Sequence, residues 1–169
     1  MILLETERLI LRNVISKDAE TMYDYRNNEI CARYQRGQTK DLAGITAENA
    51  CTAGQRLYAK YGITGIRGQA ENGFPAVGDV GLPVLKDGLR KGLSLNDAGC
   101  AALLHILCAA EDTNLIARSD RETAAKITRQ VALLLAKNRY PDGETLRELD
   151  QLFRSENLSP GGTADLLAA

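Results

Sequence analysis

Four glycines interrupt residues 60–77, and one arginine, one glutamate and one asparagine lie among them. Glycine lets a ligand approach the backbone closely, and exposed amide groups together with Arg67 can bind phosphate. Glu71 can hold a metal ion or accept a proton. The stretch therefore predicts a polyanion-binding loop, with Arg67, Gly68, Glu71 and Asn72 as its candidate residues. The alternative is a tight connection between helices, with the charged side chains in water.

The glycine spacing also excludes two common nucleotide motifs. It is G-x-x-G-x-x-G, and the preceding residues 55–59 predict a helix rather than the strand of a dinucleotide-binding fold. No lysine followed by serine or threonine completes a phosphate loop of the Walker type.

Two further polar segments follow apolar or glycine-rich runs. Glu111 and Asp112 come after the apolar run 98–110, at the end of a predicted helix where the dipole disfavours anions. A bound cation or Arg118 would balance them, and simple solvation is the alternative. Asp165 follows a Ser-Pro-Gly-Gly turn, in the first turn of the last predicted helix. Two roles are open for Asp165: it complements the dipole of that helix, or it binds a metal ion.

These three segments, in this order, resemble the motifs of the triphosphoribosyl-dephospho-CoA synthase family. The segments are 60–77, 111–118 (Glu-Asp-Thr-Asn-Leu-Ile-Ala-Arg) and 157–168 (Asn-Leu-Ser-Pro-Gly-Gly-Thr-Ala-Asp-Leu-Leu-Ala). The resemblance covers about residues 46–169, which corresponds to the C-terminal half of that family. It implies a transferase that moves the triphosphoribosyl group of ATP to the 2′-hydroxyl of dephospho-CoA and releases adenine. The product is the prosthetic-group precursor of citrate and malonate lyase-type carrier proteins.

The resemblance also implies roles for particular residues. Those implied for binding the nucleotide substrates are Arg67, Gly68, Asn72, Asn114, Arg118, Gly161 and Gly162. Those implied for proton transfer and for holding Mg²⁺ are Glu71, Asp112 and Asp165. Arginines suit the triphosphate, and carboxylates suit both the cation and the protons that leave the hydroxyl and reach adenine. The resemblance does not indicate which of these carboxylates acts as the acid and which as the base.

Three departures from the family pattern predict an incomplete site. Gln69 stands where the family usually has a second acid, and Ser119 and Asp120 stand where it has a glycine pair. Residues 1–45 show no counterpart of the proline- and glycine-rich motif of the family's N-terminal half. Loss of positioned groups can reduce a rate ~100-fold. We therefore expect less than full activity from this chain alone.

The opening of the chain resembles a different family. Residues 4–12, 18–20 and 32–34 are similar to the first strand and helix of a GNAT-superfamily acyltransferase. That similarity covers about residues 2–44, without the later Arg- and Gly-rich turn that binds acyl-CoA in those enzymes. Two alternatives to the synthase hypothesis therefore stay open: a fragment of an acetyl-CoA-dependent N-acetyltransferase, and a non-catalytic helical fusion module.

The periodicity of apolar residues predicts an all-α domain from residue 46, with a short N-terminal strand-helix appendage. The appendage has a strand over 8–12 and a helix over 16–34, and residues 35–45 form the join. We thus expect two parts, a GNAT-like segment 1–45 and a helical domain 46–169. The predicted helices of the domain cover about 46–61, 83–91, 98–110, 119–138, 145–153 and 163–169.

Composition narrows the range of partners. The 169 residues carry a formal charge of −1, and the chain has no tryptophan and 5% aromatic residues, so we expect no nucleic-acid partner. The four cysteines form no C-x-x-C pair and His105 is the only histidine, so zinc is not expected. Without a leader or an apolar span, we expect a cytoplasmic protein that acts on ATP and dephospho-CoA away from membranes. A homo-oligomer is left open.

Overall fold

The computed structural model describes residues 3–5, 10–12, 21, 46–50 and 52–169. Its contacts divide the chain into two compact units, Met1–Gly44 and Ile45–Ala169. The predicted helix over 16–34 lies outside the described residues apart from Thr21, and so does the predicted join over 35–45. The assignment of the two parts to different families stays a prediction.

In the first unit, the described residues outside Thr21 form a two-stranded antiparallel sheet. Strand β1 is Leu3–Glu5 and strand β2 is Ile10–Arg12, with Leu4 opposite Leu11 in the register. The predicted strand over 8–12 is thus described as a strand from Ile10 onward. Its partner edge is the segment just before it, which matters because a strand without a partner is not stable.

In the second unit, every described element is helical, which confirms the all-α prediction for this part of the chain. The elements are α1 (Ala53–Tyr61), α2 (Gly65–Glu71), a π-helical segment (Ala76–Gly81), α3 (Leu82–Arg90), α4 (Leu95–Ala109), α5 (Thr113–Arg118), α6 (Arg121–Lys137), α7 (Gly143–Ser155) and α8 (Gly161–Ala168). None of the described helices is both long enough and apolar enough to span a membrane.

Side-chain caps decide where several helices begin. Ser94 accepts a hydrogen bond from the Asp97 amide at the start of α4, as its spacing predicts. The prediction that the first helix starts at Thr46 is wrong, because residues 47–49 form a turn. Thr52 and Gln55 form the capping box instead, and α1 therefore begins at Ala53.

The glycine-rich stretch 60–77 is not the loop that its composition predicts. It contains α2 and the start of the π-helical segment, joined by a turn in which Gly73 and Phe74 have positive φ. The Phe74 amide donates to the Gln69 carbonyl at 2.6 Å, and the Ala76 amide donates to Gln69 Oε1 at 3.0 Å. Amide groups that we expected to be exposed for phosphate are therefore used inside the fold.

Helix α4 lies at the centre of the helical unit. Its buried residues are Ala98, Ala101, Ala102, Leu104, Ile106 and Leu107. They pack against α3, the π-helical segment, α6 and α8. A Cβ atom on Gly81 would come within 2.6 Å of Ile106 Cδ1, so the π-helical segment approaches α4 closely through a glycine. No residue of α4 from Ala98 to Cys108 is exposed, which agrees with the predicted apolar character of this run.

His105 is a partly buried residue of α4, as its apolar setting predicts. Its Nε2 lies 3.2 Å from the carbonyl oxygen of Arg139, to which the Nε2–H tautomer donates. Burial lowers the pKa of His105, although the hydrogen bond to Arg139 opposes that change. The contact joins α4 to the loop before α7, so its role here is packing.

Candidate functional site

The carboxylate of Asp112 is buried and accepts five hydrogen bonds. Its Oδ1 accepts from the amides of Asn114 and Leu115, both at 2.9 Å, and from the amide of Gly162 at 3.3 Å. Its Oδ2 accepts from the amide and the hydroxyl of Thr163, both at 2.7 Å. Asp112 is only 5% exposed. One aspartate therefore caps the amino ends of two helices, α5 and α8, at the same time.

The local sequence explains how Asp112 reaches this position. Helix α4 stops at Ala110, whose backbone is extended, and Asp112 is also extended as the residue before α5. Its anionic side chain therefore lies at the amino end of α5 rather than against the carboxyl end of α4. The described partners of Asp112 are therefore helix donors rather than Arg118, and the cation role predicted for it stays a prediction. Arg121 pairs with Glu111 at 3.5 Å, and helix amides stabilise Asp112.

The glycine pair at the start of α8 allows that helix to approach α5 closely. A Cβ on Gly161 would come within 2.5 Å of Asn114 Nδ2, and one on Gly162 within 3.2 Å of Asp112 Oδ1. A Cβ at Gly162 would require Asp112 or α8 to shift by a few tenths of an ångström, and a Cβ at Gly161 would require the exposed Asn114 side chain to move. Gly161 and Gly162 were predicted to bind nucleotide. The contacts give them a structural reason to be glycine, and the nucleotide role stays a prediction.

The glycine-rich segment contacts the other two motif segments, on α5 and α8, at the start of α2. A Cβ on Gly65 would lie 2.7 Å from Thr113 Cγ2, so the first turns of α2 and α5 are in contact. Gly65 also has a φ of 55°, a conformation that glycine adopts without strain. Ile66 of α2 and Leu166 of α8 belong to one hydrophobic cluster. All three motif segments therefore meet around the first turn of α5.

The predicted site side chains form pairs one helical turn apart on these three helices. Arg67 and Glu71 are four residues apart on α2, Asn114 and Arg118 on α5, and Asp165 lies four residues after Gly161 on α8. Residues at that spacing share a helix face.

Five of the predicted site residues have exposed side chains: Arg67, Glu71, Asn114, Arg118 and Asp165. None of them forms an ion pair or a side-chain hydrogen bond with another described residue. The structure therefore brings their helices together and leaves these groups available to a ligand. Their individual roles remain predictions.

Asn72 and Gly68 have local structural roles in α2. The Asn72 side chain donates to the Gly68 carbonyl at 2.7 Å, at the end of the helix. A Cβ on Gly68 would lie 2.5 Å from Thr64 Cβ and would collide with the Thr64 hydroxyl. Gly68 is buried, so its amide does not face solvent as a phosphate loop requires.

The described residues do not form a resident metal site. No group of three or more His, Cys, Asp or Glu side chains in the described ranges is placed to hold a cation. Asp112, one of the three predicted metal ligands, already accepts five hydrogen bonds, more than the four lone-pair sites of a carboxylate. Any Mg²⁺ would thus need water or phosphate oxygens besides the one or two carboxylates that usually hold this ion.

A cleft of about 520 Å³ lies beside Asp112, between the end of α4, α5 and α6. Its polar and charged lining residues are Cys108, Glu111, Asp112, Arg121, Thr128 and Arg129. Burial raises the pKa of Cys108, whose thiol lies 3.8 Å from the Thr128 carbonyl. Sequence reasoning missed this cleft, because only the packing of three helices brings its residues together.

The described part of the second unit is all-α, and its three motif-bearing segments meet around the first turn of α5, two of them through the buried Asp112. The chain belongs to the CitG family, ATP:dephospho-CoA triphosphoribosyl transferase, whose family model matches residues 3–169. The match includes the amino-terminal segment, so it is longer than the expected 46–169. The resemblance of that segment to GNAT acyltransferases remains a prediction.

Curated relatives agree with this family. The chain is 32% identical over 162 residues to the 2-(5''-triphosphoribosyl)-3'-dephosphocoenzyme-A synthase of Pectobacterium atrosepticum, covering 96% of this chain and 48% of the relative. It is 40% identical over 120 residues to a probable synthase of the same name from Photobacterium profundum, covering 69% and 38%. The chain therefore spans less than half the length of these relatives. No solved structure matches it.

Proposed function

We propose that this chain contributes to the transfer of the triphosphoribosyl group from ATP to the 2′-hydroxyl of dephospho-CoA, with release of adenine. The observation that carries the proposal is the meeting of the three motif segments around Asp112, in a member of the CitG family. In the reaction, the bond between the anomeric carbon and adenine breaks, and a bond from that carbon to the hydroxyl oxygen forms. The matched part of the chain covers less than half of each relative, so in this proposal the chain supplies one part of the site.

In this proposal, Arg67 and Arg118 bind the triphosphate. They lie on α2 and α5, whose first turns touch through Gly65 and Thr113. Both guanidinium groups are exposed and have no carboxylate partner among the described residues. Unpaired arginines on adjoining helices suit a polyanion, because each can donate two hydrogen bonds to one phosphate group.

Glu71 and Asp165 are the candidates for proton transfer, because they are exposed acids on the faces that carry the other predicted site residues. One must accept the proton of the attacking hydroxyl and another group must protonate adenine. Asp112 acts as a positioning residue, since its carboxylate is occupied by helix donors. Mg²⁺ would enter with ATP, and Glu71 or Asp165 would add a carboxylate ligand to it.

Adenine release tests the proposal directly. The chain is incubated with ATP, Mg²⁺ and dephospho-CoA, and free adenine is measured by chromatography, with the Pectobacterium atrosepticum relative as positive control. We expect adenine only when dephospho-CoA is present, at a rate ~100-fold or more below the relative, because the chain covers 48% of that relative and loss of positioned groups can cost that much. Glu71→Gln and Asp165→Asn should lower that rate further, whereas Asp150→Asn on α7 should not.

Two outcomes would contradict the proposal. Adenine formation that is independent of dephospho-CoA would indicate a nucleosidase or a contaminant. Complete absence of adenine, while the positive control forms it under the same conditions, would show that the chain does not contribute to the transfer.

A further inference from the structure

The cleft beside Asp112 has a composition that selects its ligand. Its floor is apolar and includes Leu107, Leu115, Ile116 and Ala124, all of them buried core residues. Its volume of about 520 Å³ lies within the range of small-molecule sites, roughly 300–1,000 Å³. A ligand that fills it must therefore present a slender and largely apolar part.

The charges at the rim leave one cation uncompensated. Arg121 pairs with Glu111 at 3.5 Å, and its guanidinium lies 5.5 Å from the centre of the Tyr61 ring. Arg129 has no carboxylate partner among the described residues, and its side chain donates there from Nε to the Ala125 carbonyl of its own helix, at 3.2 Å. Its terminal nitrogens remain available to an anion.

We propose that this cleft binds the pantetheine arm of dephospho-CoA, with Arg129 at the diphosphate to which the arm is joined. The inference rests on the proposed function for the identity of the substrates. Of the two substrates, ATP has three phosphates and no apolar arm. Dephospho-CoA has an arm with a dimethyl group, two amides and a terminal thiol, joined to a diphosphate. Only dephospho-CoA matches an apolar cleft with a single unpaired guanidinium group at its rim.

The location of the cleft supports this assignment. Asp112 lines the cleft and also accepts the amides that start α8, the helix that carries Asp165. The cleft therefore adjoins the junction of the three motif segments. A substrate held by its arm in the cleft would have its adenosine end outside, where the exposed residues of the motif helices are available.

Cys108 provides a reporter inside the cleft. We would measure the rate at which N-ethylmaleimide modifies Cys108 and Cys100, by peptide mass spectrometry, with and without S-methyl dephospho-CoA. The methylated thiol does not consume the reagent, and no ATP is added, so turnover is not required. Mildly alkaline pH is used because the pKa values of both thiols are raised by burial. Cys100 is partly buried and does not line the cleft, so it is the internal control.

We expect Cys108 to react about tenfold more slowly at a ligand concentration ten times its Kd, while Cys100 is unaffected. Arg129→Ala should weaken the protecting ligand about ten- to a hundredfold, as for the loss of a charged hydrogen bond. Lys126→Ala removes a charge from the same helix outside the cleft and should have no effect. ATP at the same concentration should not protect Cys108.

The results distinguish this inference from the proposed function. If the chain releases adenine but Cys108 is not protected, the cleft assignment is wrong and the function stands. If Cys108 is protected through Arg129 but no adenine forms, the cleft assignment stands and the function is wrong. Equal protection by ATP, or protection that survives Arg129→Ala unchanged, would also overturn the assignment.

Discussion

Thr163 donates both its amide and its hydroxyl to the same oxygen of Asp112, each at 2.7 Å, although the two residues are 51 positions apart. Both residues are buried, at 1% and 5% exposure. The pair ties the start of α8 to the start of α5. Since two of the three motif segments meet through it, the geometry of the candidate site depends on this contact.

Asp112→Ala should reduce the free energy of unfolding by at least about 3 kcal/mol, because each buried donor left without a partner costs about 1–3 kcal/mol. Urea denaturation followed by circular dichroism would measure the loss. Asp142→Ala is the matched control, because Asp142 caps α7 through the Thr145 amide but is exposed to water. A loss for Asp112→Ala no larger than that for Asp142→Ala would refute the central role of Asp112.

Thr163→Val keeps the shape of the side chain and removes the hydroxyl donor. We expect a loss of about 1.5–3 kcal/mol, the value of a hydrogen bond to a charged group. Thr163→Ser keeps the donor and loses one methyl group, for which about 0.8 kcal/mol is expected. If the serine variant proves less stable than the valine variant in the same urea titration, packing rather than hydrogen bonding holds α8 in place.

Local sequence patterns predicted the helical elements better than the site. The Ser94 cap and the apolar run of α4 are local signals, and both were confirmed. The stretch 60–77 was misassigned because glycine spacing suggests a loop. Its helix α2 forms despite the low helix propensity of glycine, and a tertiary contact between Gly65 and Thr113 holds its first turn against α5.

The site depends on contacts between residues distant in sequence, which is why its sequence-based description was incomplete. The acids of the second and third motifs were visible in the sequence, but three of the five donors to Asp112 belong to residues about 50 positions away. Local spacing alone could not show that Asp112 is buried and that Asp165 is exposed. The glycine pair at 161–162 was the one local sign of a close approach, and it was interpreted as a ligand contact.

Gly68→Ala should destabilise the protein by about 1–3 kcal/mol, the usual range for overpacking in a well-packed interior. Rotation of Thr64 cannot relieve the collision, since its Cβ itself would lie 2.5 Å from the new atom. Gly99→Ala in α4 is the control, because nothing lies within 4 Å of its Cβ position. That variant should be more stable by about 0.5–1 kcal/mol through helix propensity. Equal effects in thermal melts would contradict the packing role of Gly68.

His105 should make the protein less stable as the pH falls from 7.5 to 5.5. Burial lowers its pKa in the folded state, so the unfolded chain takes up a proton first below the ordinary value of 6.5. The contribution of neutral His105 to the free energy of unfolding is therefore fully present above pH 6.5. It is lost as the pH falls toward the pKa of His105 in the folded state. His105 is the only histidine, so His105→Gln should remove most of this dependence in urea titrations across that range. An unchanged slope in the variant would exclude His105 as its source.

Arg67→Ala should abolish most of the thermal stabilisation that magnesium-ATP gives to the wild-type chain. One arginine that contacts phosphate contributes on the order of 1.5–3 kcal/mol to binding, as for a charged hydrogen bond. The ligand-free melt should hardly change, because Arg67 is exposed and has no side-chain partner among the described residues. Thermal melts with and without millimolar magnesium-ATP measure both quantities.

The controls for Arg67 separate binding from general charge effects. Arg118→Ala should behave like Arg67→Ala, since the two arginines lie on helices whose first turns touch. Arg90→Ala, at the exposed end of α3, should leave the ligand-induced shift intact, because Arg90 lies on a helix that carries none of the motif residues. If the wild-type chain shows no shift at all, the family motifs persist here without a nucleotide site. If Arg67→Ala lowers the ligand-free melting temperature instead, Arg67 supports the fold and its assignment to phosphate is wrong.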